Sequence, residues 1–146
     1  MTAEQSAEAG VEVAVDPATA FRVFTEEIGT WWVPGPINFF DASRATGMAV
    51  EARIGGRVLE LYGDEPPLVI ATIIAWEPGS RLVYRGVVDD TETVVTFRAV
   101  GAGTHVHVRQ YALPGAVRAF LFWPNVTGWF ASHTAAHAAH TRETPR

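Results

Sequence analysis

Pro114–His140, PGAVRAFLFWPNVTGWFASHTAAHAAH, is the longest run in the chain without the apolar–polar alternation of a strand, and it holds two of the five tryptophans. Read as helix, it is the element a sheet would be built around. Pro124 divides it, because a proline inside a helix removes a hydrogen bond and clashes with the preceding turn. Ala116–Trp123 is therefore expected as a separate turn or short helix, and the main helix is expected to begin near Asn125, a good N-cap residue. At about 100° per residue, Val126, Trp129, Phe130, His133, His137 and His140 share one face, and Ala131, Ala135, Ala138 and Ala139 share another.

Working back toward the N-terminus, Gly47 onward reads as strands and turns. Met48–Ile54, Arg57–Tyr62, Leu68–Trp76, Arg81–Val87, Thr93–Val100 and Thr104–Tyr111 are separated by Gly55-Gly56, Gly63–Pro67, Glu77-Pro78-Gly79, Asp89-Asp90 and Gly101–Gly103. Six consecutive hairpin-linked strands make an antiparallel meander. Val11–Val15 adds a strand before it and ends at Asp16-Pro17, a helix start. Ala20, Phe21, Phe24 and Ile28 then recur at helical spacing, giving two short helices joined near Thr25. Val33–Thr46, with Pro34, Pro36 and Phe39-Phe40, reads as a long loop of the kind that forms lids. The expected class is α+β: a curved seven-stranded antiparallel sheet wrapped around a long C-terminal helix, with two short helices after strand 1.

At 146 residues the chain suits one domain, expected over residues 11–142 behind a disordered tail, residues 1–10. Met1–Gly10 lacks the basic start and apolar core of a signal peptide, and no apolar run reaches the ~20 residues of a membrane span, so a cytoplasmic protein off the membrane is expected. All eleven basic residues are arginine and scattered, at a net charge of −5, which argues against nucleic-acid binding. The absence of lysine excludes Schiff-base chemistry, and the absence of cysteine excludes disulfides and thiolate metal sites. No phosphate-cradling loop, dinucleotide fingerprint or nucleophile elbow occurs, and no cofactor is expected.

Several segments in order resemble the SRPBCC proteins related to the activator of the heat-shock-90 ATPase, within the helix-grip class of START and birch-pollen-allergen-like domains. These are Ala20–Gly29 with Trp31-Trp32, Val50–Glu60, Ala75–Pro78 with Arg81–Val83, Gly103-Thr104, and Gly128-Trp129. The likeness lapses at Ile70-Ala71, Gln110, His133 and His140. It implies a helix-grip fold with a hydrophobic cavity between the sheet and the last helix.

Candidate residues follow from alternation. Val50, Ala52 and Ile54 are the apolar set of their strand, turning Glu51 outward toward Arg53 or Arg57, whereas Glu60 shares a face with Val58 and is the better cavity candidate. Glu51 and Glu60 together would make an acid/base pair only if both faced the cavity. His105, His107 and Arg109 alternate with Val106 and Val108 and are expected in solvent; Gln110 falls on the valine face, either bonding a ligand or lying beyond the core. His133, His137 and His140 align on one helix face, but no fourth ligand is evident and no metal is expected. His133, one turn from Trp129, is expected to face the cavity. Trp32, Tyr84, Phe97 and Trp129 are candidate cavity walls, with core packing the stronger reading for Phe21, Phe24 and Phe97. Phe39, Phe40 and Phe120–Trp123 are candidates for the cavity mouth or a homodimer contact.

The leading expectation is binding of a small hydrophobic or aromatic ligand, contacted by Trp32, Glu60, Tyr84, Phe97, Gln110, Trp129 and His133. The alternatives are a polyketide cyclase or aromatase-like enzyme moving protons with Glu60 or His133, and a chaperone-interaction module, which the resemblance implies.

Overall fold

A computed structural model of the chain describes residues 5–32, 45–87, 91–112 and 123–143, apart from the side chains of residues 5, 123–125 and 137–143. Seven strands, β1 (Gln5–Val13), β2 (Gly47–Val50), β3 (Arg57–Tyr62), β4 (Glu65–Glu77), β5 (Arg81–Gly86), β6 (Thr91–Val100) and β7 (Gly103–Ala112), form one antiparallel sheet. Its order is β1-β7-β6-β5-β4-β3-β2, a meander whose last strand returns to pair with the first. The sheet curls into a half-barrel. Helices α1 (Pro17–Glu26) and α2 (Ile28–Trp31) follow β1, and α3 (Trp123–Glu143) closes the chain.

Local chemistry explains the boundaries. Asp16 precedes Pro17, which takes the first helical position, and the Thr19 hydroxyl donates to the Asp16 carboxylate. Two residues join β6 to β7, where Gly101 takes φ +58° without a steric cost. At Gly56 a Cβ would lie 2.1 Å from the Glu51 carbonyl oxygen, so only glycine permits the tight return from β2 into β3. Register shifts interrupt the ladder between Val58 and Leu59, between Glu60 and Tyr62, and between Ile73 and Ala75. Such bulges bend a strand and increase its twist, and they fall on the part of the sheet that curls over the cavity described below.

Four expectations change. The first strand begins at Gln5, and residues 5–10, read as a tail, pair with β7 from Ala112 to His107. The two short helices meet at Glu27, not Thr25; Thr25 is buried inside α1 with its hydroxyl returned to the Phe21 carbonyl, 2.9 Å. β2 ends at Val50, so Glu51–Ile54 lie in the turn. α3 begins at Trp123, placing Pro124 in its first turn, where no intrahelical partner for the missing N–H is needed. The loop read over Val33–Thr46 (through residue 44), the turn at Asp89-Asp90, the segment 113–122 and the histidines 137 and 140 as side chains lie outside the described residues.

The core is aromatic on its helical side. Phe21 packs edge-on against Trp76 (4.9 Å between ring centres) and at a tilt against Phe97 (5.1 Å), while Phe24 meets Phe130 (5.2 Å) and Trp31 (5.3 Å). On α3 the buried line is Val126, Phe130 and Thr134, spaced by four. Thr134 satisfies its hydroxyl on the Phe130 carbonyl at 2.9 Å. Trp129 and His133, expected at the centre of the buried face, sit half-buried at its edge.

Candidate functional site

The inward residues change character along the strands. On β6 the inner face runs from Phe97 and Val95 to Thr93 and Thr91; on β7 it runs from Val106 and Val108 to Gln110. Thr93 lies opposite both Gln110 and Tyr84, so these changes occur at one end of the sheet. On the neighbouring strands Ala71 pairs with Gly86, two small residues facing each other. Small and polar side chains here fill less space than the phenylalanines at the other end, and a cavity remains.

Sheet and helices line it together. Val58 and Glu60 come from β3, Tyr84 from β5, Thr91 from β6 and Gln110 from β7, while Met48 and Val50 come from edge strand β2. The helical wall is Phe24 of α1 with Ile28 and Trp31 of α2 and the adjoining Trp32. The cavity's free volume is about 40 Å³, room for roughly three waters at ~10–15 Å³ each. Counted with the solvent at its open mouth, the same depression encloses about 690 Å³. No described residue of α3 lines the space, so the wall expected from the C-terminal helix is supplied by α1 and α2.

Glu60 is the unusual member, a carboxyl 1% exposed in a mainly apolar wall. Burying such a group is costly without hydrogen bonds, and the Tyr62 hydroxyl, two residues on and on the same strand face, donates to its Oε1 at 2.6 Å. Gln110, 4% exposed, donates from Nε2 to the Thr93 hydroxyl at 3.0 Å. The cavity thus has a carboxyl on the β3 side and, on the β6–β7 side, Thr91 and an amide that is itself bonded to Thr93. Glu51 is not its partner: it lies outside, bonded bidentately to Arg57 (2.9 and 2.6 Å) and to the Arg57 backbone N–H (2.8 Å). Those hydrogen bonds hold its carboxyl at about 2, well below the usual range.

Of the expected site residues, Trp32, Glu60, Tyr84 and Gln110 line the cavity. Phe97 belongs to the filled end of the core, against Phe21 and Phe24. Trp129 stands one layer back, edge-on to Trp32 with ring centres 5.8 Å apart. His133 does not face the cavity; its Nε2 lies 2.8 Å from Oε1 of Glu27, at the α1–α2 junction. Periodicity placed it on the correct side of α3 but could not show that α1 and α2 stand between α3 and the cavity. Thr91, Thr93 and Tyr62 were missed, although their alternation with outward residues marks them as inward polar groups.

On the outer face His105 and His107 stack at 6.4 Å, His107 and Arg109 lie 3.6 and 3.7 Å from Glu8, and Arg109 covers the Tyr111 ring. Among the described residues no group of three or more His, Asp or Glu side chains is placed to hold a metal. None of the described helices is long and apolar enough to cross a membrane.

The chain's overall shape is shared with solved proteins. Protein MLL2253 from Mesorhizobium loti superposes with a TM-score of 0.66 over 94% of this chain and 98% of that one, at 15% identity. Protein CV1439 from Chromobacterium violaceum gives 0.63 over 89% and 96%, at 18% identity. CalU16 from Micromonospora echinospora gives 0.58 over 89% and 74%, at 12% identity. At these identities the likeness is one of fold. No protein-family model matches the sequence, and no curated protein matches it.

Proposed function

We propose that the protein is a helix-grip domain of the SRPBCC kind that binds a small, largely apolar organic molecule in the cavity between its curled sheet and helices α1 and α2. The observation that carries this reading is a space lined by Trp31, Trp32, Met48, Val58 and Ile70, into which a few polar groups converge. Ligand sites are built this way: apolar walls supply affinity at about 25 cal/mol per Å² removed from water, and isolated polar groups set orientation. The resemblance of Ala20–Trp32 and Val50–Glu60 to the activator-of-heat-shock-90-ATPase relatives supports the same fold assignment. A single domain in the cytoplasm goes with this reading.

Native mass spectrometry of freshly purified protein is the test. A bound species heavier than the chain by the mass of a small organic molecule, lost on gentle activation, is the expected result. Only the bare mass, with no adduct after incubation with small apolar alcohols, would refute it.

One observation favours a second reading, an enzyme of the cyclase or aromatase type. Glu60 is a buried carboxyl on the wall of a cavity, where a positioned carboxyl can move a proton. His133, bonded to Glu27, is not available to that chemistry. The chaperone-interaction reading rests on the family resemblance alone.

A further inference from the structure

Resting on the ligand-binding reading, we propose that Ala71 and Gly86 are the specificity-determining pair of the cavity, seating the end of an unbranched alkyl chain and turning away branched or cyclic ends. The two residues face each other across β4 and β5, and the ladder continues past them, with the Val87 N–H donating to the Ile70 carbonyl at 2.9 Å. The register shift between these two strands lies elsewhere, between Ile73 and Ala75. A glycine in a paired strand weakens it, and away from a bulge the missing side chain marks the close approach of another group. Position 86 continues the inner row of β5 after Leu82 and Tyr84, and Gly86 itself lines the cavity. On β3, Val58 pairs with Ala71, so side-chain size falls from Val58 through Ala71 to Gly86 across three neighbouring strands. The next inner pair toward the core, Ile73 with Tyr84, is large again, and Ile73 is fully buried. Among the described residues the cavity floor is therefore a notch, bounded by Val58 on one side and by Ile73 and Tyr84 on another. Its free volume of about 40 Å³ takes roughly three groups of water's size at ~10–15 Å³ each, whereas a cavity that holds benzene measures about 150 Å³. The end of an unbranched chain fits such a space, and a ring or a tert-butyl group does not. The rest of the chain then runs among the apolar walls toward the open mouth.

Calorimetric titration of the full chain with pentan-1-ol and 2,2-dimethylpropan-1-ol separates the possibilities, because the two isomers share a head group and a carbon count and differ only in the shape of the apolar end. Pentan-1-ol is expected to bind about 10-fold more tightly, the worth of two methylenes that reach the notch in one isomer and stay outside it in the other. Gly86→Val places a β-branched side chain, well suited to a strand, in the notch. In that variant pentan-1-ol should bind about 10-fold more weakly and its advantage over the branched isomer should fall to less than about twofold. Should Gly86→Val not fold, the ranking in the unaltered protein decides. Equal binding of the two isomers, a preference for the branched one, or a preference for pentan-1-ol that survives Gly86→Val overturns the Ala71–Gly86 seat and leaves the ligand-binding reading standing. Failure of both isomers to bind overturns both.

Discussion

The hydrogen bond between Tyr62 and Glu60 gives a sharp quantitative expectation. Tyr62→Phe removes one hydroxyl and keeps the ring in place, so the change removes the 2.6 Å bond to a carboxyl that is 1% exposed. A hydrogen bond to a charged group contributes about 1.5–3 kcal/mol to stability, against about 0.5–1.5 kcal/mol for a neutral pair. With a urea dependence of roughly 1.5 kcal/mol per M, Tyr62→Phe should lower the unfolding midpoint by about 1–2 M at neutral pH. In a Glu60→Gln background the acceptor is a neutral amide oxygen, and the same substitution should cost only about 0.5–1.5 kcal/mol. The coupling between the two sites is then about 1 kcal/mol or more, measured from four urea curves on a double-mutant cycle. Equal costs in the two backgrounds, or a cost below about 0.5 kcal/mol in the native one, would show that the Tyr62 hydroxyl does not hold the Glu60 carboxyl as a charged acceptor.

Other expectations follow from the core and the surface. Phe130→Ala removes a fully buried ring packed on Phe24 and Trp31 and should destabilise by about 3–5 kcal/mol in chemical unfolding; a loss under about 1 kcal/mol would mean that α3 does not seat there. Glu51, depressed to about 2 from an ordinary 4.5, contributes stability that is complete above pH 4.5 and is lost as pH falls toward 2. Glu51→Gln should therefore flatten that part of the stability–pH curve, and an unchanged acid limb would contradict the Arg57 contact. His133→Ala removes the 2.8 Å contact with Glu27 and should speed amide exchange in α3 with a cost of about 1 kcal/mol, leaving butanol binding unchanged. Loss of butanol binding in that variant would place His133 at the site after all.

The meander was legible because alternation and turn chemistry agree along the whole stretch: Val106 and Val108 turn inward while His105, His107 and Arg109 turn outward. The same alternation carried Glu60 and Gln110 to the inner face. It did not reveal residues 5–10 as a strand, since their small and acidic side chains carry little apolar signal and the segment is fixed by its ladder with β7. Nor could spacing on α3 say what the helix packs on. Val126, Phe130 and Thr134 form the buried line, and Thr134 pays for its place with a backbone hydrogen bond that no hydropathy pattern displays. The pairing of His133 with Glu27 joins residues 106 apart, which local sequence cannot encode. The cavity itself depends on register, because Ala71, Gly86, Thr91 and Gln110 create space only when the strands bring them to one end of the sheet. Alternation along one strand is blind to that.

The central claim, a ligand held between α2 and the β3–β5 surface, is tested most directly by nuclear Overhauser contacts from bound n-butanol in isotope-labelled protein. Contacts to the Met48, Val58 and Ile70 methyl groups and to the Trp31 and Trp32 indole protons are the expected result, since these residues line one space. Contacts confined to Ile54, Ile74 and Val87, the large apolar side chains exposed on the outside among the described residues, would contradict it.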